Sequence, residues 1–295
     1  MAENEIHVVD VFAEEKYAGN QLAVITNAAS IPDAEMQRIA RETNFSETTF
    51  ILSDRPRDGG YDVRIFTPGA EIPFAGHPTI GTAYVLRNLI LESTAERIVL
   101  NLKLGRIPVR FVPERDGRHL LWMSTPYPQF GASFDAAAVA SVVGLEAADV
   151  DDRYPVEDMS LGVPFVFLPL RTLDAVRRAR FSNERFERVR HLGFNPCIFL
   201  FSAETYSSDH QLNARMFAAP FGVAEDPATG SANACLAAYV LRHHYFSGGR
   251  VEIQVEQGYE IGRPSLLYLR AQRRGEQADI EVGGHVVASM RGVLR

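Results

Sequence analysis

Stretches that alternate in polarity, or that run through β-branched and aromatic residues, outnumber stretches with a helical period along this chain. Residues 6–12 and 22–26 read as strands joined through the turn residues Ala18, Gly19 and Asn20, so a strand pair is expected to open the fold. In 30–44 the positions Met36, Ile39, Ala40 and Thr43 recur at helical spacing with Pro32 near the start, which predicts an amphipathic helix lying on a sheet. Residues 45–52, rich in Thr, Phe and Ile, lead through a turn-rich segment to an alternating stretch at 61–66, a second hairpin. Further strands are expected at 98–104, 107–112, 120–124, 164–168, 197–201, 216–217, 251–256, 266–270 and 280–287.

Two helical segments stand apart because they are apolar on nearly every face, one running from Pro78 and the other from Pro227. A helix hydrophobic all round belongs inside a core. Each lies between β-rich stretches, so the pattern predicts an α+β fold of two pseudo-symmetric lobes, each a strongly curved, mostly antiparallel sheet wrapped around a central buried helix. Residues 1–117 with 286–295 are expected to form an N-terminal lobe and 118–285 a C-terminal lobe.

An internal repeat supports the duplication. His77-Pro78-Thr79-Ile80-Gly81-Thr82-Ala83 aligns without gaps on Asp226-Pro227-Ala228-Thr229-Gly230-Ser231-Ala232, 149 residues further on. Both obey X-P-x-x-G-[ST]-A, with a group at X that can hold a proton. Proline at the first helical position would put His77 and Asp226 at the N-caps. Gly81 and Gly230 would leave room for close approach to amide groups at a positive helix end, a site suited to a carboxylate. If the two lobes face each other, His77 and Asp226 would flank a bound organic acid. Read singly, Asp226 fits a plain helix start, since Asp before Pro is common there, and Glu47 reads as an exposed strand residue, whereas histidine is not a favoured cap and the Gly and Pro around His77 suit a close backbone approach.

Composition narrows the function classes. The 295 residues are 46% hydrophobic and 23% charged, an ordinary globular balance, and the net charge of −7 gives no general attraction to nucleic acid or to anionic membrane. No apolar run approaches the roughly 18 residues that span a bilayer, and the acidic N-terminal stretch lacks a signal pattern. A soluble, cytoplasmic protein is expected. Cys197 and Cys235 are too few for a disulfide framework or a CxxC site and read as buried thiols. GxSxG, GxxxxGK[ST], GxGxxG and HExxH are all missing, and the adjacent His243 and His244 read as a solvated helix end rather than metal ligands.

Six ordered blocks carry a resemblance: Gly19-Asn20-Gln21-Leu22-Ala23-Val24, Asn44-Phe45-Ser46-Glu47-Thr48, Arg64-Ile65-Phe66-Thr67-Pro68, Gly76 through Ala83, Glu225 through Ala232, and Gln257-Gly258-Tyr259-Glu260-Ile261-Gly262-Arg263-Pro264-Ser265. Together they resemble the PhzF-like isomerases of the phenazine-biosynthesis family. The resemblance implies the diaminopimelate-epimerase-like fold with the active site in the interlobe cleft. It places the catalytic acid/base on Glu47 and assigns His77 and Asp226 to binding and polarising the substrate or helping to move its proton. Asn20, Gly76, Gly230 and the Ser231 hydroxyl would bind substrate, the last three at its carboxylate.

The implied activity is a cofactor-independent, metal-free isomerisation that moves a proton, and with it a double bond, on a small carboxylate-bearing substrate. A homodimer is expected. Two other readings stay open: an epimerase or racemase with non-cysteine bases, and a non-catalytic binder of organic acids. Related racemases of this fold use two opposing cysteines, and neither cysteine here lies in the repeated septets.

Overall fold

The computed structural model describes residues 3–219 and 223–295. The chain divides into two compact units, Met1–Ser124 with Gly283–Arg295, and Thr125–Val282. The first unit holds β1 (Glu5–Val11), β2 (Asn20–Ile25), α1 (Asp33–Thr43), β3 (Glu47–Ile51), β4 (Tyr61–Phe66), β5 (Glu71–Ile72), α2 (Gly76–Val85), β6 (Arg97–Leu102), β7 (Gly105–Pro113) and β8 (His119–Thr125). The second holds β9 (Gln129–Ser133), α3 (Ala136–Val142), β10 (Glu157–Ser160), β11 (Pro164–Leu170), α4 (Leu173–Arg178), α5 (Asn183–Val189), β12 (Ile198–Ser202), β13 (Leu212–Ala218), β14 (Val223–Asp226), α6 (Gly230–Arg242), β15 (Arg250–Gln257), β16 (Ser265–Arg274) and β17 (Gln277–Gly284). The last strand, β18 (Val286–Val293), returns to pair antiparallel with β1.

The duplication is visible in the strand pairing. In the first unit β1–β2 is antiparallel, β2–β3 parallel, β3–β4 antiparallel, β4–β6 parallel and β6–β7 antiparallel. In the second, β10–β11, β11–β12, β12–β13, β13–β15 and β15–β16 repeat that order of directions. Parallel neighbours need a crossover. In both units the second crossover contains the buried helix, α2 between β4 and β6, and α6 between β13 and β15.

Both helices are buried as their composition requires. In α2 every residue except Tyr84 is buried, and the helix packs against β1, β2, β3, β6, β7 and β18. α6 is buried from Ala232 to Leu241 and packs on β10, β15 and β16. Gly81 is the point of closest approach in the first unit: a Cβ there would lie 2.7 Å from Leu22 Cδ2 and 2.8 Å from Val11 Cγ2. That glycine lets the helix sit down on β1 and β2.

Several boundaries move from the sequence expectation. The first unit runs on to Ser124 instead of ending at residue 117, and β8 is the antiparallel hairpin partner of β7. The strand expected at 280–287 is two strands broken at His285, whose ring nitrogens meet Glu14 Oε1 at 2.7 Å and Glu114 Oε2 at 2.6 Å. His243 is not a solvated helix end: its Nε2 lies 2.6 Å from Oε1 of the buried Glu157. Among the described residues no helix is long and apolar enough to cross a membrane.

Candidate active site

The first unit brings three of the expected residues together. Asn44 ends α1 in the left-handed conformation (φ 53°), which an asparagine adopts at low cost, and turns the chain into β3. Glu47 is the first residue of β3, in register opposite Leu22 of β2. The next two residues lock the strand, with Thr48 Oγ1 2.7 Å from Thr43 Oγ1 and Thr49 Oγ1 2.8 Å from Thr82 Oγ1 on α2. These threonines explain why the block around Glu47 continues Thr-Thr: they hold the carboxylate's strand to both helices.

His77 comes from α2. The helix starts at Gly76 with Ala75 as its extended N-cap, so His77 lies inside the first turn and not at the cap. Pro78 is still within that turn, where its missing N–H costs nothing. Ala75 takes the cap's role by accepting from Thr79 N and Thr79 Oγ1 through its carbonyl. His77 Nε2 lies 3.2 Å from Glu47 Oε2, and its Nδ1 lies 3.3 Å from Asn20 Nδ2 at the start of β2. Asn20 is buried, as is His77, while Glu47 keeps 16% of its side chain exposed. Burial pushes the His77 pKa well below the ordinary histidine range, against the opposing effect of a hydrogen bond with the Gln21 main chain. The imidazole is therefore neutral at neutral pH and has the Glu47 carboxyl group near one ring nitrogen and the Asn20 amide near the other, with only Glu47 partly exposed.

The second unit arranges its septet differently. Asp226 ends β14, and α6 begins four residues later at Gly230 with Thr229 as N-cap, so neither Asp226 nor Pro227 starts the helix. The physical reason is a side-chain network that occupies the intervening turn. Thr229 Oγ1 donates to Asp226 Oδ2 at 2.5 Å, and Gln257 Nε2 donates to the Asp226 carbonyl at 2.9 Å and to Thr229 Oγ1 at 3.1 Å. Gln257 Oε1 accepts from Thr229 N at 3.2 Å and from Asn233 Nδ2 at 2.9 Å. Gly258 (φ +78°) follows because a Cβ there would sit 2.6 Å from the Pro227 carbonyl. Gly230 and Ser231 form the first turn of α6, Gly230 buried and Ser231 partly exposed.

Sequence reasoning gave no role to Thr229, Asn233 or Gln257. Gln257 and Gly258 lie in a block quoted for the resemblance, and a glutamine followed by glycine at a strand end was the available signal. Both cysteines are buried. Burial pushes the Cys197 thiol up to about 12 and raises that of Cys235 as well, so neither is a thiolate at neutral pH.

Comparison with known proteins identifies the family. The family model described as phenazine biosynthesis-like protein matches residues 9–292. A trans-2,3-dihydro-3-hydroxyanthranilate isomerase from Pseudomonas fluorescens is 35% identical over 97% of this chain and 98% of its own length. The enzyme of the same name from Pseudomonas aeruginosa is 36% identical over 97% of each chain. A PhzF-family protein from Bacillus anthracis, 29% identical, superposes over the whole of both chains with a TM-score of 0.90. A probable proline racemase from Agrobacterium radiobacter, 11% identical, covers 99% of this chain and 93% of its own with a TM-score of 0.63, a likeness of fold alone. With a family match across nearly its whole length and relatives above 30% identity, the chain belongs to the phenazine biosynthesis-like (PhzF) family and is an isomerase.

Proposed function

We propose that this isomerase moves a proton, and with it a double bond, on a small carboxylate-bearing molecule, with Glu47 as the single acid/base. Glu47 takes a proton from an allylic carbon, the electron pair of that C–H bond shifts the double bond by one position, and the protonated Glu47 returns the proton to the far carbon. Atoms and charge balance without a co-reactant. A positioned carboxyl of this kind supplies about 10²- to 10⁴-fold in rate. The neutral His77 at 3.2 Å orients the carboxylate, and Asn20 holds the ring. Asp226 binds and polarises substrate, and the amides of Gly76 and Gly230 with the Ser231 hydroxyl take its carboxylate, as helix starts favour anions.

The observation that carries this reading is the contact of Glu47 with a buried, neutral histidine. The relatives' substrate, trans-2,3-dihydro-3-hydroxyanthranilate, is the first compound to offer, because its partly reduced ring carries both the carboxylate and a movable double bond. Incubation in deuterated water followed by NMR tests the proposal. A shifted double bond with the proton delivered to a new carbon is the expected result. Label entering a stereocentre of an unrearranged product would mean epimerisation, and binding without either change would mean no catalysis of this compound.

A further inference from the structure

We propose that Gln257 and Thr229 are positioning residues for Asp226, forming a one-way hydrogen-bond relay that sets where its carboxylate points. The inference rests on the reading of Asp226 as a substrate-contacting residue and adds how that residue is held.

The direction of each bond follows from donor and acceptor chemistry. The Asp226 carbonyl can only accept, so the Gln257 atom 2.9 Å from it is the amide nitrogen. The opposite end of that amide faces two donors, Thr229 N and Asn233 Nδ2, which only the oxygen can accept. Gln257 therefore has one orientation. Its nitrogen donates to Thr229 Oγ1, which leaves the single hydroxyl hydrogen of Thr229 for Asp226 Oδ2 at 2.5 Å. Gln257 and Asn233 are fully buried and Thr229 nearly so, so water does not compete for these bonds.

A helix cap alone would not need this arrangement. Thr229 occupies the N-cap of α6, yet its side chain makes no capping bond and is turned back to Asp226. Preference for the carboxylate over the helix's own amides is what a positioning role predicts, since a reacting group must be held to within about 0.5 Å.

The test compares four variants. With trans-2,3-dihydro-3-hydroxyanthranilate, Thr229→Val should lower kcat by about tenfold or more with little change in KM, and Gln257→Leu should lower kcat likewise while also lowering the thermal midpoint, because it leaves the buried Thr229 N and Asn233 Nδ2 without their acceptor. Thr229→Ser, which keeps the hydroxyl, should recover most of the loss. Asp226→Asn in the same assay separates the two ideas. If Asp226→Asn is impaired while Thr229→Val turns over at the wild-type rate, or if Ser fails to rescue, the relay is wrong and the reading of Asp226 stands. If Asp226→Asn is fully active, both fall. A substrate-free measurement covers the case of a compound that is not turned over. In protein labelled with 13C at aspartate carboxyls, the signal missing from Asp226→Asn should move in Thr229→Val and return in Thr229→Ser. A signal indifferent to both substitutions overturns the relay.

Discussion

In the first unit the repeated septet lies inside α2, and its leading residue meets a carboxylate from the start of β3. In the second unit the septet straddles a turn, and its leading residue is held by the hydroxyl of Thr229 within the same turn. Strand directions, crossover position and helix burial are shared; the chemistry is not. The contrast is sharpest at the two strands that follow the first crossover. β3 begins with Glu47 opposite Leu22, whereas β12 begins with the buried Ile198 opposite Val166. Duplication has kept the scaffold, while the Glu47 carboxyl group stands at one of the two equivalent strand starts. That asymmetry supports a single base that both removes and returns a proton.

The most damaging way to break this asymmetry is to remove the carboxylate. Glu47→Gln keeps the size and one acceptor of the side chain, so the protein should fold with its thermal midpoint within a few degrees of wild type. Its kcat should fall by at least about 10²-fold. Full turnover by this variant would show that the strand-start carboxylate is not the base, and the comparison with Ile198 would lose its meaning.

Much of the scaffold was legible beforehand because periodicity and burial are local signals. The α1 helix, the 61–66 strand and the all-apolar character of α2 and α6 follow from residue patterns alone. The helix starts depart from the sequence pattern, in which proline marks the first helical residue: α2 starts two residues before Pro78 and α6 three residues after Pro227. At Pro227 the network of Asp226, Thr229 and Gln257 delays the helix to Gly230, and a partner 31 residues from Asp226 leaves no mark on local pattern. Glu47 was legible only through the resemblance: at a strand start it looks like any solvent-facing acid, and what distinguishes it is His77, which arrives from a different element.

A second comparison concerns the two aligned glycines. Gly81 packs against β1 and β2, whereas its repeat partner Gly230 is the first residue of α6. Gly81→Ala should destabilise the protein by about 1–3 kcal/mol, as overpacking a filled core does, reduced by the better helix propensity of alanine. Urea titration reads this directly. A variant as stable as wild type would mean that Leu22 and Val11 yield freely.

Smaller effects come from pH, where two buried histidines of the first unit behave oppositely. His77 has a folded pKa below its unfolded value of about 6.5. The unfolded chain therefore binds a proton that the native ring refuses, and stability is lost as pH falls below about 6.5. For His285 burial alone would lower the pKa, but the hydrogen bond to Glu14, its charge and Glu114 outweigh burial and raise it. Its contribution is present below the unfolded pKa and fades as pH rises through the folded one. Denaturant titrations at pH 7, 6 and 5 should show His77→Asn with a shallower acid-side loss, by up to ~1.4 kcal/mol per pH unit. An unchanged slope would mean that the native ring takes up the proton.

The smallest expected effect on turnover is at the thiols, and it bears on which chemistry the duplicated scaffold runs. A racemase of two opposing cysteines needs thiolates that reach substrate, but Cys197 and Cys235 are both buried and burial favours their protonated forms. Cys197 immediately precedes Ile198 at the strand start equivalent to that of Glu47, and its carbonyl accepts a hydrogen bond from Val166 N at 2.8 Å, so its main chain serves β11. Cys235 lies in the middle of α6, where a serine hydroxyl can donate to the carbonyl one turn back. Cys197→Ser and Cys235→Ser, alone or together, should therefore keep kcat within about twofold of wild type while costing about 1–3 kcal/mol of stability for the buried hydroxyls. Iodoacetamide should leave the wild-type enzyme active. Inactivation that bound substrate prevents would put a thiol at the reacting carbon and end the argument that one carboxylate does the work.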